Sequence, residues 1–375
     1  MTTRRCVRIA VAGSGLIGQE HIGRIADNSE TELSGIVDPA PASREVADRY
    51  GVPLFGSLTE LFAAQRPDGV ILATPNRFHV SGGLECVEAG VPVLVEKPIA
   101  ETADDAERLV AAAEAAGVPL LVGHHRRHSP LLAEAGRIIG EGGLGAVVAV
   151  VGTALFRKPD DYFDVGPWRK QPGGGPILIN LIHEADGLRA LCGEIVRVQA
   201  TASSAARGFE VEDTVAMTLT FANGALGTFM LSDAAAAVSS WEQTSRENPA
   251  YSHADDEDCY LIAGTRGSLG IPTMRLRTYA GDASWWEPFE SRTAAVERHD
   301  PLAAQLAHFA AVVRGEAEPL VTGRDGLQSL RVVESVLEAA RTGGLVEVPA
   351  PPVRTPSART QPTQTPSAPA ASTQN

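Results

Sequence analysis

The six residues Gly13-Ser14-Gly15-Leu16-Ile17-Gly18 leave this chain few ways to fold. They follow directly on Val7-Arg-Ile-Ala-Val-Ala12, an apolar run that reads as a fully buried strand. A helical pattern then covers residues 17–26. Strand, GxGxxG and helix, in that order, describe a turn that cradles the phosphates of a dinucleotide. Gly13 permits the tight turn, Gly15 lets the backbone approach a pyrophosphate, and Gly18 lets the helix lie close on the strand. Around Ser14, Leu16 and Ile17 the helix start offers free N–H groups and the positive end of its dipole. The next strand, Leu33-Ser-Gly-Ile-Val37, ends in Asp38, twenty residues past Gly18, where an acid takes the ribose hydroxyls of NAD. No arginine adjoins Asp38 to accept a 2′-phosphate. NAD is therefore the expected cofactor and NADP the weaker candidate, kept open by nearby Arg44.

The alternation continues with helices at 41–50 and 58–65, a strand at 69–73, and a helix from His79 to residue 89. A strand at 93–95, a helix at 103–116 and a strand at 119–123 complete the unit. Repeated βα with short links means a parallel, doubly wound sheet, so residues 1–123 form an α/β Rossmann domain. The strand Val93-Leu-Val95 is stopped by Glu96-Lys97-Pro98. Proline cannot donate to a ladder and biases its predecessor towards extended geometry. Lys97 is thus expected at the carboxyl end of a core strand, where open α/β sheets hold ligands. A partly desolvated lysine there has a lowered pKa and can serve as an acid or base.

Beyond Gly123 the pattern changes. A helix at 130–139 precedes a strand at 146–156 and a loop, 157–164, rich in aromatic and charged residues. After Gly173-Gly-Gly175, a helix at 177–191 carries His183. Strands follow at 196–202, 214–221, 224–231, 258–263, 268–271 and 274–279, with Asn223-Gly224 as a hairpin signal. Helices at 302–314 and 326–342, stopped by Gly343-Gly344, lead to a short strand at 345–348. Residues 124–349 therefore read as an α+β domain with a mostly antiparallel open sheet. From residue 350 to 375 the chain is mostly Pro, Thr, Ser, Ala and Gln with almost no apolar bulk, and a disordered tail is expected.

The formal charge of −14, without a cluster of Lys and Arg, speaks against nucleic acid as a partner. No apolar run approaches the roughly 18 to 20 residues of a membrane span. Four cysteines without a CxxC spacing suit a reducing compartment, and no signal-peptide core follows Met1, so a soluble cytoplasmic protein is expected.

The glycine cradle, Asp38, Ala73-Thr74-Pro75-Asn76 with His79 three residues on, and Glu96-Lys97-Pro98 together resemble one family. It is the glucose–fructose oxidoreductase, inositol dehydrogenase and rhizopine catabolism (Gfo/Idh/MocA) family of NAD(P)-dependent oxidoreductases. The resemblance extends to Gly123-His-His-Arg-Arg-His-Ser-Pro130, Trp168-Arg169, Gly173–Gly175 and His183. It implies hydride transfer between nicotinamide and a CHOH group of a small polyhydroxylated substrate: a sugar, cyclitol or nucleotide sugar. By the same resemblance Asn76 and Glu96 lie along the nicotinamide ribose, with Thr74, Pro75 and His79 on that loop, and Lys97 touches the reacting hydroxyl. A cis peptide often precedes the residue matching Pro98. His125, Arg126 and Arg127 stand beside nicotinamide and substrate, Arg126 on the cofactor side. Trp168 and Arg169 line the pocket for both, with Tyr162 and Asn180 facing the substrate; Arg157 and Lys158 belong to the same wall. The family's open sheet commonly forms a subunit interface, which implies a homodimer or homotetramer.

Lys97 and His183 form the expected catalytic pair. Alcohol oxidation needs a group that takes the hydroxyl proton while hydride leaves carbon, and a positioned base contributes roughly 100- to 10,000-fold. Histidine has a suitable pKa unperturbed, and Lys97 can hold the substrate oxygen and its developing charge. One departure matters. The family usually has an aspartate four residues before this histidine, and here Ile179 stands there. Asn180 with Lys97, or another acid among Asp164, Glu184 and Asp186, must compensate, or the substrate differs. His124, His125 and His128 straddle a strand end and the turn after it, so no metal site is expected. Trp285-Trp286 reads as a pocket cap, or as core or interface. Alternative functions are a cis-dihydrodiol dehydrogenase, a redox-neutral enzyme retaining NAD, and a non-catalytic NAD(H)-binding sensor.

Overall fold

The computed structural model describes residues 5–350; the tail expected to be disordered lies, from residue 351, outside the described residues. The first half runs β1 (Val7–Ala12), α1 (Leu16–Asp27), β2 (Thr31–Val37), α2 (Ser43–Tyr50), β3 (Leu54–Phe55), α3 (Leu58–Ala64), β4 (Gly69–Leu72), α4 (His79–Glu88), β5 (Val93–Val95), α5 (Ala103–Ala116) and β6 (Leu120–Val122). Its six strands, all parallel, stand in the order β3-β2-β1-β4-β5-β6. The order reverses between β1 and β4, so the crevice for a ligand opens at their carboxyl ends. Local chemistry sets the boundaries. The Thr102 side chain caps α5 by accepting from the Asp105 N–H, and Gly117 ends it in the left-handed region.

The second half runs α6 (Pro130–Gly140), β7 (Val147–Leu155), α7 (Asp161–Val165), α8 (Ile182–Cys192), β8 (Ile195–Ser203), β9 (Thr214–Phe221), β10 (Leu226–Ser232) and α9 (Trp241–Thr244). It continues through β11 (Tyr260–Gly264), β12 (Gly267–Ile271), β13 (Arg275–Thr278), β14 (Glu290–Thr293), α10 (Pro301–Val313), α11 (Gly323–Thr342) and β15 (Leu345–Glu347). Nine strands form one sheet, ordered β14-β13-β12-β11-β7-β10-β9-β8-β15, in which only β7 and β10 pair in parallel. α11 lies against one face, along β8 and α8. On the other face Val151, opposite Leu261 and Thr228, joins exposed Leu226 and Met230. That apolar face is open.

The chain returns to the first sheet at its end. Leu306, Phe309 and Ala310 of α10 share a core with Ile9, Val11, Ile22 and Ile36. Gly69 makes room for this helix, because a Cβ there would lie 2.9 Å from the Phe309 ring. On the other side of the first sheet, one continuous core runs from Leu72 and Val95 through Leu131 and Leu188 to Ile262.

Several local expectations are corrected. The segment 157–164 is not all loop: α7 begins within it, followed by a 3₁₀ turn, Pro167–Lys170. The helix expected over 177–191 opens with a π turn, Ile177–Leu181, which an apolar period cannot reveal. Strands β3 and β14 were not expected; β14 is exposed throughout and is held by hairpin pairing with β13 alone. Lys97–Pro98 is cis, as is Ile271–Pro272. Among the described residues no helix is long and apolar enough to cross a membrane.

Candidate active site

The glycine cradle has the geometry its sequence requires. Gly13 sits at φ 92°, and a Cβ there would lie 2.4 Å from the Ala73 carbonyl oxygen. At Gly18 a Cβ would fall 2.0 Å from the Gly13 carbonyl oxygen, so helix and turn touch through bare backbone. Around Gly15 nothing lies within 4 Å of that position, and the Leu16 side chain is exposed, with Ile17 beside it. Backbone closed on one side and open on the other is what an approaching diphosphate needs.

Asp38 closes this end. Its Oδ2 accepts from the Ser14 N–H at 2.8 Å and from Ser14 Oγ at 2.9 Å, and its Oδ1 accepts from the Ala40 N–H at 2.9 Å. Ser14 Oγ also meets Ser43 Oγ at 2.7 Å. Burial works against ionisation of Asp38, yet the donors of Ala40 and Ser14 outweigh it and hold the carboxyl below its ordinary pKa. A fixed carboxylate here fits a ribose diol and repels a 2′-phosphate. Arg44, on the next helix, is exposed.

At the end of β4 the Thr74 hydroxyl is buried without a partner, an orphan that a bound cofactor would satisfy. Pro75 is exposed and Asn76 half-buried, beginning a 3₁₀ turn. His79 departs from expectation. It is buried, with Nδ1 2.8 Å from the Pro98 carbonyl oxygen and Nε2 2.8 Å from that of Thr74. Both ring nitrogens face backbone carbonyl oxygens, and whichever carries the proton donates to one of them, so His79 sits between the two loops with neither nitrogen turned to a ligand.

Glu96 is buried against His21 of α1, Oε1 to Nε2 2.8 Å, and Oε2 accepts from the Lys97 N–H at 3.2 Å. Sequence reading missed His21, although it falls in the buried stripe of α1 with Gly18, Ile22 and Ile25. The Lys97 side chain is half-buried, and its ammonium makes no hydrogen bond among the described residues. Burial lowers its pKa; Glu96 opposes this and Arg126 adds to it.

Three imidazoles meet over this lysine. His183, the second residue of α8, is buried, with its ring centroid 5.2 Å from that of His125 and 5.9 Å from that of His124, both edge-on. Its Nδ1 has no partner. Burial first, then the charges of Lys97 and Arg126, hold His183 well below its ordinary pKa, and the same causes bring His125 down to about 3. At neutral pH these rings are uncharged and can accept protons.

The acids considered as substitutes for the missing aspartate do not reach His183. Asp164 pairs with Lys170 at 3.0 Å. Glu184 accepts from Arg126 at 2.7 Å and from the Tyr260 hydroxyl. Asp186 accepts from Ser329 at 3.2 Å and Arg127 at 3.4 Å, with His124 Nδ1 at 3.9 Å. Asn180 accepts instead from Lys158 Nζ at 2.7 Å, and Ile179 is half-buried.

Two arginine expectations are corrected. Arg126 is buried between Glu184 and Glu242, with the Trp241 ring 5.7 Å away, and each of its terminal nitrogens donates to one of these carboxylates. Arg127 pairs with Asp186 and lines a separate cavity of about 510 Å³ with His128, Glu134 and His299. The residues expected in the pocket wall lie close together. Arg169 stacks on Tyr162 at 3.8 Å and reaches Trp168 at 5.6 Å, while Lys158 lies 5.0 Å from the Tyr162 ring. Trp285 and Trp286 are exposed on the β13–β14 loop, not core. His128 turns away to His308, Nε2 to Nδ1 2.9 Å, so the three histidines share no focus. Among the described residues no three His, Cys, Asp or Glu side chains are arranged so that they could hold a metal ion.

Comparison with known proteins agrees with this geometry. Residues 7–124 match the model described as "Oxidoreductase family, NAD-binding Rossmann fold", and residues 132–270 match the "GFO/IDH/MocA C-terminal domain". The 1,5-anhydro-D-fructose reductase of Ensifer adhaerens is 30% identical over 91% of this chain and 98% of its own. The rhizopine catabolism protein MocA of Rhizobium meliloti is 27% identical over 88% of this chain and 94% of its own. The WlbA dehydrogenase of Bordetella pertussis, solved with NADH and UDP-GlcNAcA, superimposes with a TM-score of 0.73 at 27% identity, over 92% of this chain and all of that one. The chain thus belongs to the Gfo/Idh/MocA family and is an NAD(P)-dependent dehydrogenase acting on CH–OH groups.

Proposed function

We propose that the protein oxidises a CHOH group of a sugar, cyclitol or nucleotide sugar, or reduces the matching ketone, with NAD as cofactor. The observation that carries this reading is the placement of Lys97, just past the carboxyl end of β5, near the buried imidazole of His183, where burial lowers the pKa of both and leaves His183 uncharged at neutral pH. Gly13 to Gly18 would hold the diphosphate, Asp38 the adenosine ribose, and Thr74, Asn76 and Glu96 the nicotinamide side. Bound there, the nicotinamide supplies a hydride acceptor or donor. Lys97 donates a hydrogen bond to the substrate oxygen and steadies its developing negative charge. His183, neutral at pH 7, takes the hydroxyl proton in oxidation and returns it in reduction. Tyr162, Trp168 and Arg169 hold the rest of the substrate.

The relatives favour this substrate class, since they include a 1,5-anhydro-D-fructose reductase and a dehydrogenase solved with NADH and UDP-GlcNAcA. NAD is preferred to NADP because the Asp38 carboxylate is fixed by three donors at the ribose position. Four free cysteines suit work in the cytoplasm. The open face around Val151 and Leu261 suits pairing with a second copy as a homodimer or homotetramer.

The test is absorbance of NADH with purified protein against sugars, inositols and nucleotide sugars, with NAD and NADP run separately. Turnover on one class that collapses in Lys97→Ala and His183→Ala supports the reading. Unchanged turnover in both variants removes the catalytic pair.

A further inference from the structure

The segment 158–177 carries Tyr162, Trp168 and Arg169, and α7 and one 3₁₀ turn are all the regular structure it has before the π turn begins. Its tip folds on itself: Arg169 donates to the Tyr162 carbonyl oxygen, and Lys170 pairs with Asp164 at 3.0 Å. Val165 and Trp168 at that tip are exposed. Ordering such a segment costs conformational entropy, which contacts from outside it must offset.

Contacts of this kind come from the loop 204–213, between β8 and β9. Arg207, buried in that loop, donates from Nη2 to the Lys158 carbonyl oxygen at 2.9 Å and from Nε to Asp233 at 3.0 Å. Its guanidinium lies 4.5 Å from the Phe163 ring and reaches Asp160 at 3.4 Å. The Phe209 ring stands 5.0 Å from that of Phe163, and the Glu210 N–H donates to the Lys170 carbonyl oxygen at 3.2 Å. Glu212 takes the far end. Its Oε1 accepts from the Ile177 N–H at 2.9 Å and occupies the space beside Gly175, where a Cβ would lie 2.6 Å from it.

Arg207 and Glu212 are near neighbours in sequence, yet one holds position 158 and the other position 177. The loop between them is braced in turn. Buried Asp213 accepts from the N–H groups of Ala206 and Arg207, each at 2.9 Å, and the Gly208 N–H closes on the Ser204 carbonyl oxygen at 2.7 Å. Both ends of the held segment join the turn before α8. Lys158 Nζ donates to Asn180 Oδ1 at 2.7 Å, and Ile177 opens the π turn that runs into α8 and His183.

Resting on the dehydrogenase reading, in which this segment holds the substrate, we infer that the loop 204–213 sets substrate affinity, with Arg207 and Glu212 as positioning residues that clasp the two ends of the substrate wall. With the clasp closed, the wall is formed before the substrate arrives. With it open, only a fraction of molecules present a formed wall, and KM rises by the inverse of that fraction. Arginine suits the task because its planar fork bonds a carboxylate and a main-chain carbonyl at once, which the point charge of a lysine does not.

The test first reads the wall without a substrate. Trypsin cuts after Arg169 and Lys170, which are half-buried in the segment. Arg207→Met, Glu212→Ala and Glu212→Gln, each checked for wild-type circular dichroism, are compared with wild type for the rate of those two cuts by mass spectrometry. We expect cleavage about tenfold faster in Arg207→Met and Glu212→Ala, because proteolysis follows the population of the open form. Glu212→Gln, whose amide oxygen still accepts from the Ile177 N–H, is cut near the wild-type rate. On the substrate that the NADH assay identifies, Arg207→Met raises KM about tenfold and keeps kcat within about threefold, a split that general loss of folding does not give. Equal cleavage of wild type, Arg207→Met and Glu212→Ala overturns the clasp. Faster cleavage with unchanged KM overturns its part in affinity and leaves the dehydrogenase reading standing. If wild type turns over nothing in the panel, the dehydrogenase reading falls, and faster cleavage still upholds the clasp. If Arg207→Met fails to fold, Glu212→Ala and Glu212→Gln decide in both assays.

Discussion

His21 and Glu96 lie 75 residues apart in sequence, yet their side chains meet at 2.8 Å with almost no exposure to solvent. The pair joins α1, which follows the cradle, to the strand end that carries Lys97. Burial opposes ionisation of Glu96, but the hydrogen bond and charge of His21 and the charge of Lys97 outweigh it, so its folded pKa is lowered. A lowered carboxyl pKa stabilises the fold above the unfolded value of about 4.3 and ceases to do so as pH falls through the folded value. Removing one partner of a buried pair costs about 3 kcal/mol. His21→Ala is therefore expected to lower urea stability by about that amount at pH 7 and by much less at acid pH. Equal losses at both would show that the charge of Glu96 is not involved.

Alcohol oxidation requires neutral His183. Since burial and neighbouring cations depress its pKa, the acid limb of kcat/KM is expected below the ordinary histidine value of about 6.5. The alkaline limb, where Lys97 loses its proton, is expected below 10.5. A pH–rate profile measures both. Lys97→Ala should remove the alkaline limb and lower kcat by roughly 100- to 10,000-fold while NADH still binds.

The two inner glycines of the cradle separate folding from binding. At Gly18 an added methyl collides with backbone, so Gly18→Ala should lose both thermal stability and cofactor affinity. At Gly15 the same methyl meets open space within the protein. Gly15→Ala should melt within a degree or two of wild type yet bind NADH weakly, as read by fluorescence titration. Undiminished binding in Gly15→Ala would remove the diphosphate from this turn.

Asp38→Ala should raise the dissociation constant for NAD by about 10- to 100-fold, the worth of hydrogen bonds to a charged group. The dissociation constant for NADP should change less, since the lost carboxylate no longer repels a 2′-phosphate. Parallel titrations with both cofactors give the ratio. A ratio that stays fixed would place the ribose elsewhere.

On the open face, Val151→Glu sets a charge at the centre of the apolar patch. Sedimentation should then show monomer where wild type shows a dimer or larger species. An unchanged mass in the variant would exclude that face as the interface.

Much of this was legible in the chain because it was local. Thr102 and Gly117 bracket α5 in both the sequence pattern and the structure, and the buried runs of β1, β4 and β5 have no alternative as strands. The cradle and Asp38 were readable for the same reason. What escaped depended on contacts between distant segments. Arg126 looked like a free cation until Glu184 and Glu242, 58 and 116 residues on, closed around it. His79 looked like a ligand until both its nitrogens proved to face the carbonyl oxygens of Thr74 and Pro98. The π turn before His183 keeps the apolar character of an ordinary helix, so no pattern betrays it.

The insertion of Phe309 above Gly69 has a consequence for how the protein is made. Roughly 240 residues separate the two, and at about 5–20 residues per second the ribosome needs some tens of seconds to deliver the second after the first. Through that interval α1 and α2 cover this side of the β1, β2 and β4 strands without α10, and the core around Ile9, Val11 and Ile36 lacks Leu306, Phe309 and Ala310. The dinucleotide half is made well before α10, yet it is finished only when that helix has been added.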